Sequence, residues 1–319
     1  MPYMGLLGAA GVGLEPSWGA SVAAARYLEV TQADVRPVIG REIPAMVAAT
    51  RARRRRRDGQ VVYRGPVVFD ATADNVGEIL LAAFGTVTTT LINTVGANVY
   101  RHFFTRVEST GLPSLTLEQN MGGLWSRQVL GARVEELALA VQPGGSLVFD
   151  VEFRARDEAS IAPTNPSYST LESLHHNGFT AEVNSAASGD VESAEVRFGN
   201  NLVDDIFGAG QEGKLSHLPA GLFQVSGRYT MAFESGQAHE ALKTGIYQAL
   251  GFSFAGATIT GAWRYGLSVE LPRVSYRAAE APLSPDRLVY DISFDALFKA
   301  SEGKDARVAL TNVTSGYGA

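Results

Sequence analysis

Two stretches of this chain alternate apolar and polar residues in the same way. Leu147, Phe149, Val151 and Phe153 alternate with Val148, Asp150, Glu152 and Arg154. Later, Leu288, Tyr290, Ile292 and Phe294 alternate with Val289, Asp291, Ser293 and Asp295. A period of two puts one set of side chains on a core and the other toward solvent or a lumen. Further strands are predicted at 27–38, 61–70, 114–120, 132–142, 190–199, 222–234 and 250–255. Gln142-Pro143-Gly144-Gly145 marks a hairpin before the first closing strand.

Helical spacing occurs twice. Val76, Ile79, Leu80, Ala83 and Phe84 form one stripe, with Asp74 as the expected cap and Gly85 as the stop. Ala238, Ala241, Leu242, Gly245 and Ile246 repeat the spacing. The order of strand, helix stripe, tryptophan (Trp125, Trp263) and closing strand recurs, which predicts a duplicated unit. The first copy carries extra residues over 86–112, expected as a hairpin or loop. The expected organisation is an N-terminal arm (1–26), a first β domain (27–158), a linker (159–178) and a second β domain (179–319). Fold class is mainly β with one flanking helix per unit (α+β).

With 319 residues, two ordinary domains fit. Charged residues make up 19% and apolar ones 45%, the balance of a globular protein. No apolar run reaches the ~18–20 residues of a membrane span. The opening MPYMGLLGAAGVGLEPSWG has no basic n-region, so no secretory signal is expected. The absence of cysteine removes disulfides, thiolate zinc sites and cysteine nucleophiles from the sequence, and fits assembly in a reducing cytoplasm.

Net charge is −6, yet six positives crowd into Arg51, Arg53, Arg54, Arg55, Arg56 and Arg57. Without them the remainder is −12 (−6 − 6). This is an acidic protein with one basic loop, suited to docking on an acidic surface such as another copy of itself. No aromatic residues interleave with the arginines, which argues against a nucleic-acid platform. Trp18 sits in the expected arm with no local core in view, and is the candidate anchor into a neighbouring subunit.

Catalytic patterns are missing. His239-Glu240 lacks the second histidine of a zinc helix, since Lys243 stands there. His102, His175, His176 and His217 form no spaced set and read as exposed or hydrogen-bonded residues. Glu135-Glu136 and Asp204-Asp205 are neighbours that point apart on a strand, so neither makes an acid–base pair. No nucleophile elbow, P-loop or strand-anchored dinucleotide loop occurs. No enzyme activity, cofactor or metal is expected. A structural subunit and a soluble tandem β-domain module binding carbohydrate or peptide remain as readings.

Several phrases in order resemble the two-domain tail tube proteins of long-tailed bacteriophages. They are the opening GVGLEPSWGASVAAARYLEV, the run VVFDATADNVGEILLAAFG leading into VTTT, LPSLTLEQN, RVEELALAVQPGGSLVFDVEFRARDEA, and the C-terminal LVYDISFDALFKA with ARVALTN. The resemblance spans nearly the whole chain. It implies β-sandwich or half-barrel units whose sheets join edge to edge into a closed barrel. Three chains would form a pseudo-hexameric ring, and rings would stack into a hollow tube that conducts DNA during ejection. The implied partners are the chain itself, other tail proteins at the tube ends and DNA passing without sequence preference, with no membrane contact. The implied location is the virion tail, after assembly in the host cytoplasm. Trp18 and the arginines from 51 to 57 would connect rings, and removal of residues 1–25 would leave folded subunits that fail to polymerise. Asp150, Glu152, Asp291 and Asp295 would line the lumen.

Overall fold

A computed structural model describes residues 7–44, 52–53, 55–283 and 287–318. In chain order the first half contains β1 (Ala9–Leu14), β2 (Arg26–Leu28), β3 (Val30–Ala33), β4 (Arg36–Glu42) and β5 (Arg57–Asp70). Then come α1 (Gly77–Phe84), β6 (Gly85–Asn93), β7 (Val99–Arg106), β8 (Leu115–Asn120), β9 (Ser126–Val141), β10 (Val148–Ala155) and β11 (Asp157–Ile161). The second half contains β12 (Phe179–Val183), β13 (Ala186–Ser188), β14 (Val191–Gly199), β15 (Gln224–Ala232) and α2 (Gln237–Thr244). It ends with β16 (Gln248–Thr260), β17 (Trp263–Glu280), β18 (Val289–Ala296) and β19 (Arg307–Asn312). Among the described residues the protein is mainly β, with one α-helix in each half.

The two halves repeat one topology. Long β9 pairs with β8 and β11 at its start and with β10 further on. Long β17 does the same with β16, β19 and β18. β1 lies on β8 as β12 lies on β16, and β5 lies on β10 as β15 lies on β18. The two helices end on matching residues, Gly85 and Gly245, both in the left-handed region where a side chain would be strained. The span 86–112 holds the β6–β7 hairpin, and β7 pairs with β19 of the other half.

Across the middle, β9 pairs with β14, so strands of both halves join in one antiparallel run. That run reads β5–β10–β9–β14–β15–β18–β17. Its inner face carries Phe69, Phe149, Phe153, Leu137, Phe198, Ile292 and Phe294, all buried. α1 packs on this core and every residue from Ile79 to Phe84 is buried. At ~1.5–3 kcal/mol per fully buried large apolar side chain, that stripe anchors the first half.

Four expectations are corrected. Residues 9–14 are not a free arm: β1 bonds to β8 on one side and to β2 on the other, burying Ala10 and Val12. The span from 159 is not bare linker, because β11 continues to Ile161 along β9. Asp74 does not cap α1; the N-cap is Val76 without a side-chain bond, and Asp74 accepts from Thr72 and Ser169 instead. The second stripe runs past its helix, since Gly245 already ends α2 and Ile246 is 61% exposed beyond it.

Candidate functional site: a charged sheet face and two open edges

Asp150, Glu152, Asp291 and Asp295 share one face of the continuous run. One row of directly opposed residues shows this: Asp150, Ala138, Arg197, Ser226 and Asp295 lie side by side on β10, β9, β14, β15 and β18. Residues opposite one another in antiparallel strands point the same way. Glu152 lies two positions along from Asp150, and Asp291 stands opposite Glu280 and Thr230. Between these positions the strand residues turn to the core, so the face is polar where its reverse is apolar.

Acids predominate on that face and arginines hold them. Arg197 Nη1 lies 2.7 Å from Glu136 across the β9–β14 joint, and its Nε donates to Glu195 at 2.6 Å. Arg228 Nε donates to the other Glu195 oxygen at 2.9 Å, and Arg277 stands 3.2 Å from Asp295. Partial burial lifts the Asp150 carboxyl above its ordinary range; Arg197 opposes this, while Glu152, Glu136 and Glu195 reinforce it. Glu135 leaves the face at a bulge in β9, where its carboxylate accepts from Leu202 N at 2.9 Å. Burial raises it as well. The pair Glu135-Glu136 is thus split between two environments.

Arg53, Arg55, Arg56 and Arg57 are exposed, while Arg51 and Arg54 lie outside the described residues. Arg56 pairs with Asp58 at 3.0 Å, and Arg41 stands 3.4 Å from the same carboxylate. One acid therefore meets several cations, and the loop keeps surplus positive charge.

The view that Trp18 has no core of its own is also corrected. Its indole N–H donates to Gly131 O at 3.0 Å, and the guanidinium groups of Arg133 and Arg156 lie 5.5 and 5.1 Å from its ring centroid. Gly131 adopts φ +66°, and a β-carbon there would come within 2.9 Å of the indole nitrogen. Next to it, buried Glu15 gathers four donors: Ser114 Oγ at 2.6 Å, Gly19 N at 2.7 Å, Gly131 N at 2.8 Å and Thr116 Oγ1 at 2.9 Å. The sequence GLEPSWG is therefore a clasp that binds the turn after β1 to β8 and β9. Glu15 stands in that opening with no sequence pattern to mark its role, because Thr116 and Gly131, two of its donors, come from β8 and β9.

His102 is buried, with its ring nitrogens 2.8 Å from Thr89 Oγ1 and 3.0 Å from Asn312 Oδ1, and burial lowers its pKa. Among the described residues no group of three His, Asp or Glu side chains is placed to hold a metal ion. No helix among the described residues is long and apolar enough to cross a membrane.

Among the described residues, two edges of the continuous run end without a strand beside them. One is the outer side of β3 and β4, which bond only to β5. The other is the end of β17 beyond its pairing with β16, where β18 is the single neighbour. The strand predicted at 27–38 covers the first edge, the sequence pattern predicts no strand over 274–280, and it marks neither edge as open. The available signal was a second repeat, Ala33-Asp-Val-Arg-Pro-Val38 against Ala194-Glu-Val-Arg-Phe-Gly199.

A duplicated antiparallel sheet with one charged face, apolar packing behind it and an unpaired edge at each end defines a mainly β protein with room for a further strand on either side. A family model described as phage tail tube protein matches residues 5–296, and the chain belongs to that family. It is a structural subunit of the phage tail tube, located in the virion tail and assembled with its own copies and other tail components. No curated protein matches the chain.

Proposed function

We propose that three copies of this chain form a ring of six β units, and that rings stack into the tube through which DNA leaves the virion. The carrying observation is the β9–β14 joint. One chain already contains a finished unit-to-unit junction, and the strands that make it have counterparts left open at the two ends of the run. Open strand edges invite pairing, and closure of a ring removes them. A junction that joins unlike edges is heterologous, and its repetition closes a ring when the rotation per unit divides the full circle.

The charged face then lines the lumen, with Asp150, Glu152, Asp291 and Asp295 toward the DNA. Carboxylates repel phosphates, and a wall that does not release counterions on contact does not hold the duplex. The arginines from 51 to 57 connect one ring to the next, an electrostatic contact that salt weakens. Trp18 contributes indirectly, by fixing the turn it packs in. The two tube units run from β1 to β11 (about 9–161) and from β12 to β19 (about 179–312), and other tail proteins cap the tube ends. Assembly takes place in the host cytoplasm.

Electron microscopy of the purified protein tests this. Rings with sixfold-like outline and three-fold symmetry, or tubes built of them, are expected. A monodisperse monomer that persists at high concentration contradicts the proposal.

A further inference from the structure

We infer that subunits join through β3–β4 of one copy and the end of β17 of the next, in one fixed register that sets Arg36 opposite Glu280. The inference rests on the ring proposed above and adds to it the junction residues and their alignment.

The register comes from superimposing the chain on itself. β10 and β18 align as Val148–Ala155 on Val289–Ala296. Each pairs with its long strand through a bulge at the same place. Glu152 faces Glu136 and Phe153 faces Val134, so Glu135 is extra; Ser293 faces Ala278 and Phe294 faces Tyr276, so Arg277 is extra. Positions 136–141 of β9 therefore correspond to 278–283. On the other side, β5 and β15 align through their closing strands, with Asp70 on Val148 and Ala232 on Val289. Ala33, Arg36 and Val38 face Val67, Arg64 and Val62 just as Ala194, Arg197 and Gly199 face Tyr229, Ser226 and Gln224. Positions 33–38 therefore correspond to 194–199.

Inside the chain, Ala194 faces Val141, Arg197 faces Ala138 and Gly199 faces Glu136. Carried to the open edges, Ala33 faces Leu283, Arg36 faces Glu280 and Val38 faces Ala278. Both Arg36 and Glu280 are exposed in the single chain. Arg36 has one weak contact, 3.6 Å from Asp34, with 71% of its side chain accessible. Placed opposite each other they make an ion pair where the internal joint has Arg197 bonded to Glu136.

Backbone polarity agrees with this alignment. Asn200 N donates to Glu135 O across the internal joint, which turns the backbone groups of Phe198, Val196 and Ala194 toward β9. Asp34 N donates inward to Pro66 O, which turns those of Ala33, Val35 and Pro37 outward. Val35 is fully buried in the single chain, its O accepting from Arg127 Nη2 at 2.6 Å, so the Arg127 side chain must swing aside for a partner strand to reach this one rung. On the partner edge the pairing of Glu280 with Asp291 turns Ala279 outward, and Ala281, Pro282 and Leu283, past the end of β17, would continue the alternation on docking, with Pro282 on the side where its missing N–H is not needed. Pro37 costs the ladder one donor.

Cover over the helices gives an independent sign. α1 is roofed from across the internal joint: Phe198 and Phe223 pack on Phe84, and Asn200 bonds Ala83 O. α2 has no buried residue, and Leu283, three positions past the end of β17, is 92% exposed. The roof that α2 lacks is what a second copy seated on β17 supplies.

Cysteine cross-linking decides the register, since the chain has no cysteine of its own. Arg36 and Glu280 form a non-hydrogen-bonded pair, with Cα atoms about 4.5 Å apart, within disulfide reach. The double variant R36C/E280C, oxidised after assembly, is expected to give covalent species ending at three chains, while R36C/A278C gives little. Separately, R36E or E280R alone raises the concentration needed for ring formation by about tenfold, and the combined reversal restores it. Rings seen by microscopy without cross-linking at 36 and 280 overturn this register and leave the tube proposal standing. Failure of the unmodified protein to form rings overturns both.

Discussion

Asn200, from the second half, closes the end of the helix in the first. Its Nδ2 donates to Ala83 O at 3.1 Å and to Val134 O at 2.9 Å, and the residue is buried. Ala83 O is among the last four carbonyls of α1, which have no partner within the helix. One side chain therefore satisfies a helix end and a strand across the boundary between halves. Asn200→Ala leaves both carbonyls dry and is expected to lower stability by about 1–3 kcal/mol. Urea unfolding measures it; a change below ~0.5 kcal/mol would show that water or a shifted backbone takes the place of the amide.

Glu15 organises the start of the chain. Glu15→Ala strands four donors around a buried site and is expected to cost about 3 kcal/mol or more. Removal of residues 1–25 goes further, since it strips β1 from β8 and exposes a core edge. The truncated chain is expected to unfold at markedly lower temperature than the full one, not merely to fail in assembly. Thermal unfolding with circular dichroism separates the two outcomes.

Asp150 gives a pH signature. Its carboxyl titrates above the usual range in the folded chain, so the folded state holds that proton more tightly than the unfolded one. Stability is lost as pH rises from the ordinary Asp value of about 3.9 through the raised value. Asp150→Asn removes that loss. The variant is expected to melt higher than the parent at pH 7, with the gain vanishing below the window. A gain that persists at pH 3 would point to packing rather than charge.

Replacing the arginines at 53–57 with serine is expected to weaken stacking of rings and to flatten its dependence on salt. Tube length distributions at low and high ionic strength provide the readout. An unchanged salt response would place the stacking contact elsewhere.

Much of the fold was legible because it is periodic. The alternation of Phe149, Val151 and Phe153 with Asp150 and Glu152 fixed both a strand and its faces, and Gly85 ended α1 where the stripe stopped. Asp74 misled because a short polar residue before a helix bonds as readily to other hydroxyls as to the helix N–H groups. Residues 9–14 misled because glycine and alanine give no alternation, while their pairing is decided by β8, far along the chain. Trp18 misled for a related reason: its partners Gly131, Arg133 and Arg156 come from β9 and the turn after β10. Side chains near each other in sequence carried readable signal, and those that meet only through strand pairing did not.

The β6–β7 hairpin breaks the equivalence that duplication created. In the second half β19 is flanked by β7, while its counterpart β11 has β9 alone. Around the proposed ring of three chains the inner wall would repeat six times and the rim only three. A component gripping from outside would thus meet alternating terrain and dock in threefold steps, though the pore it surrounds feels nearly sixfold.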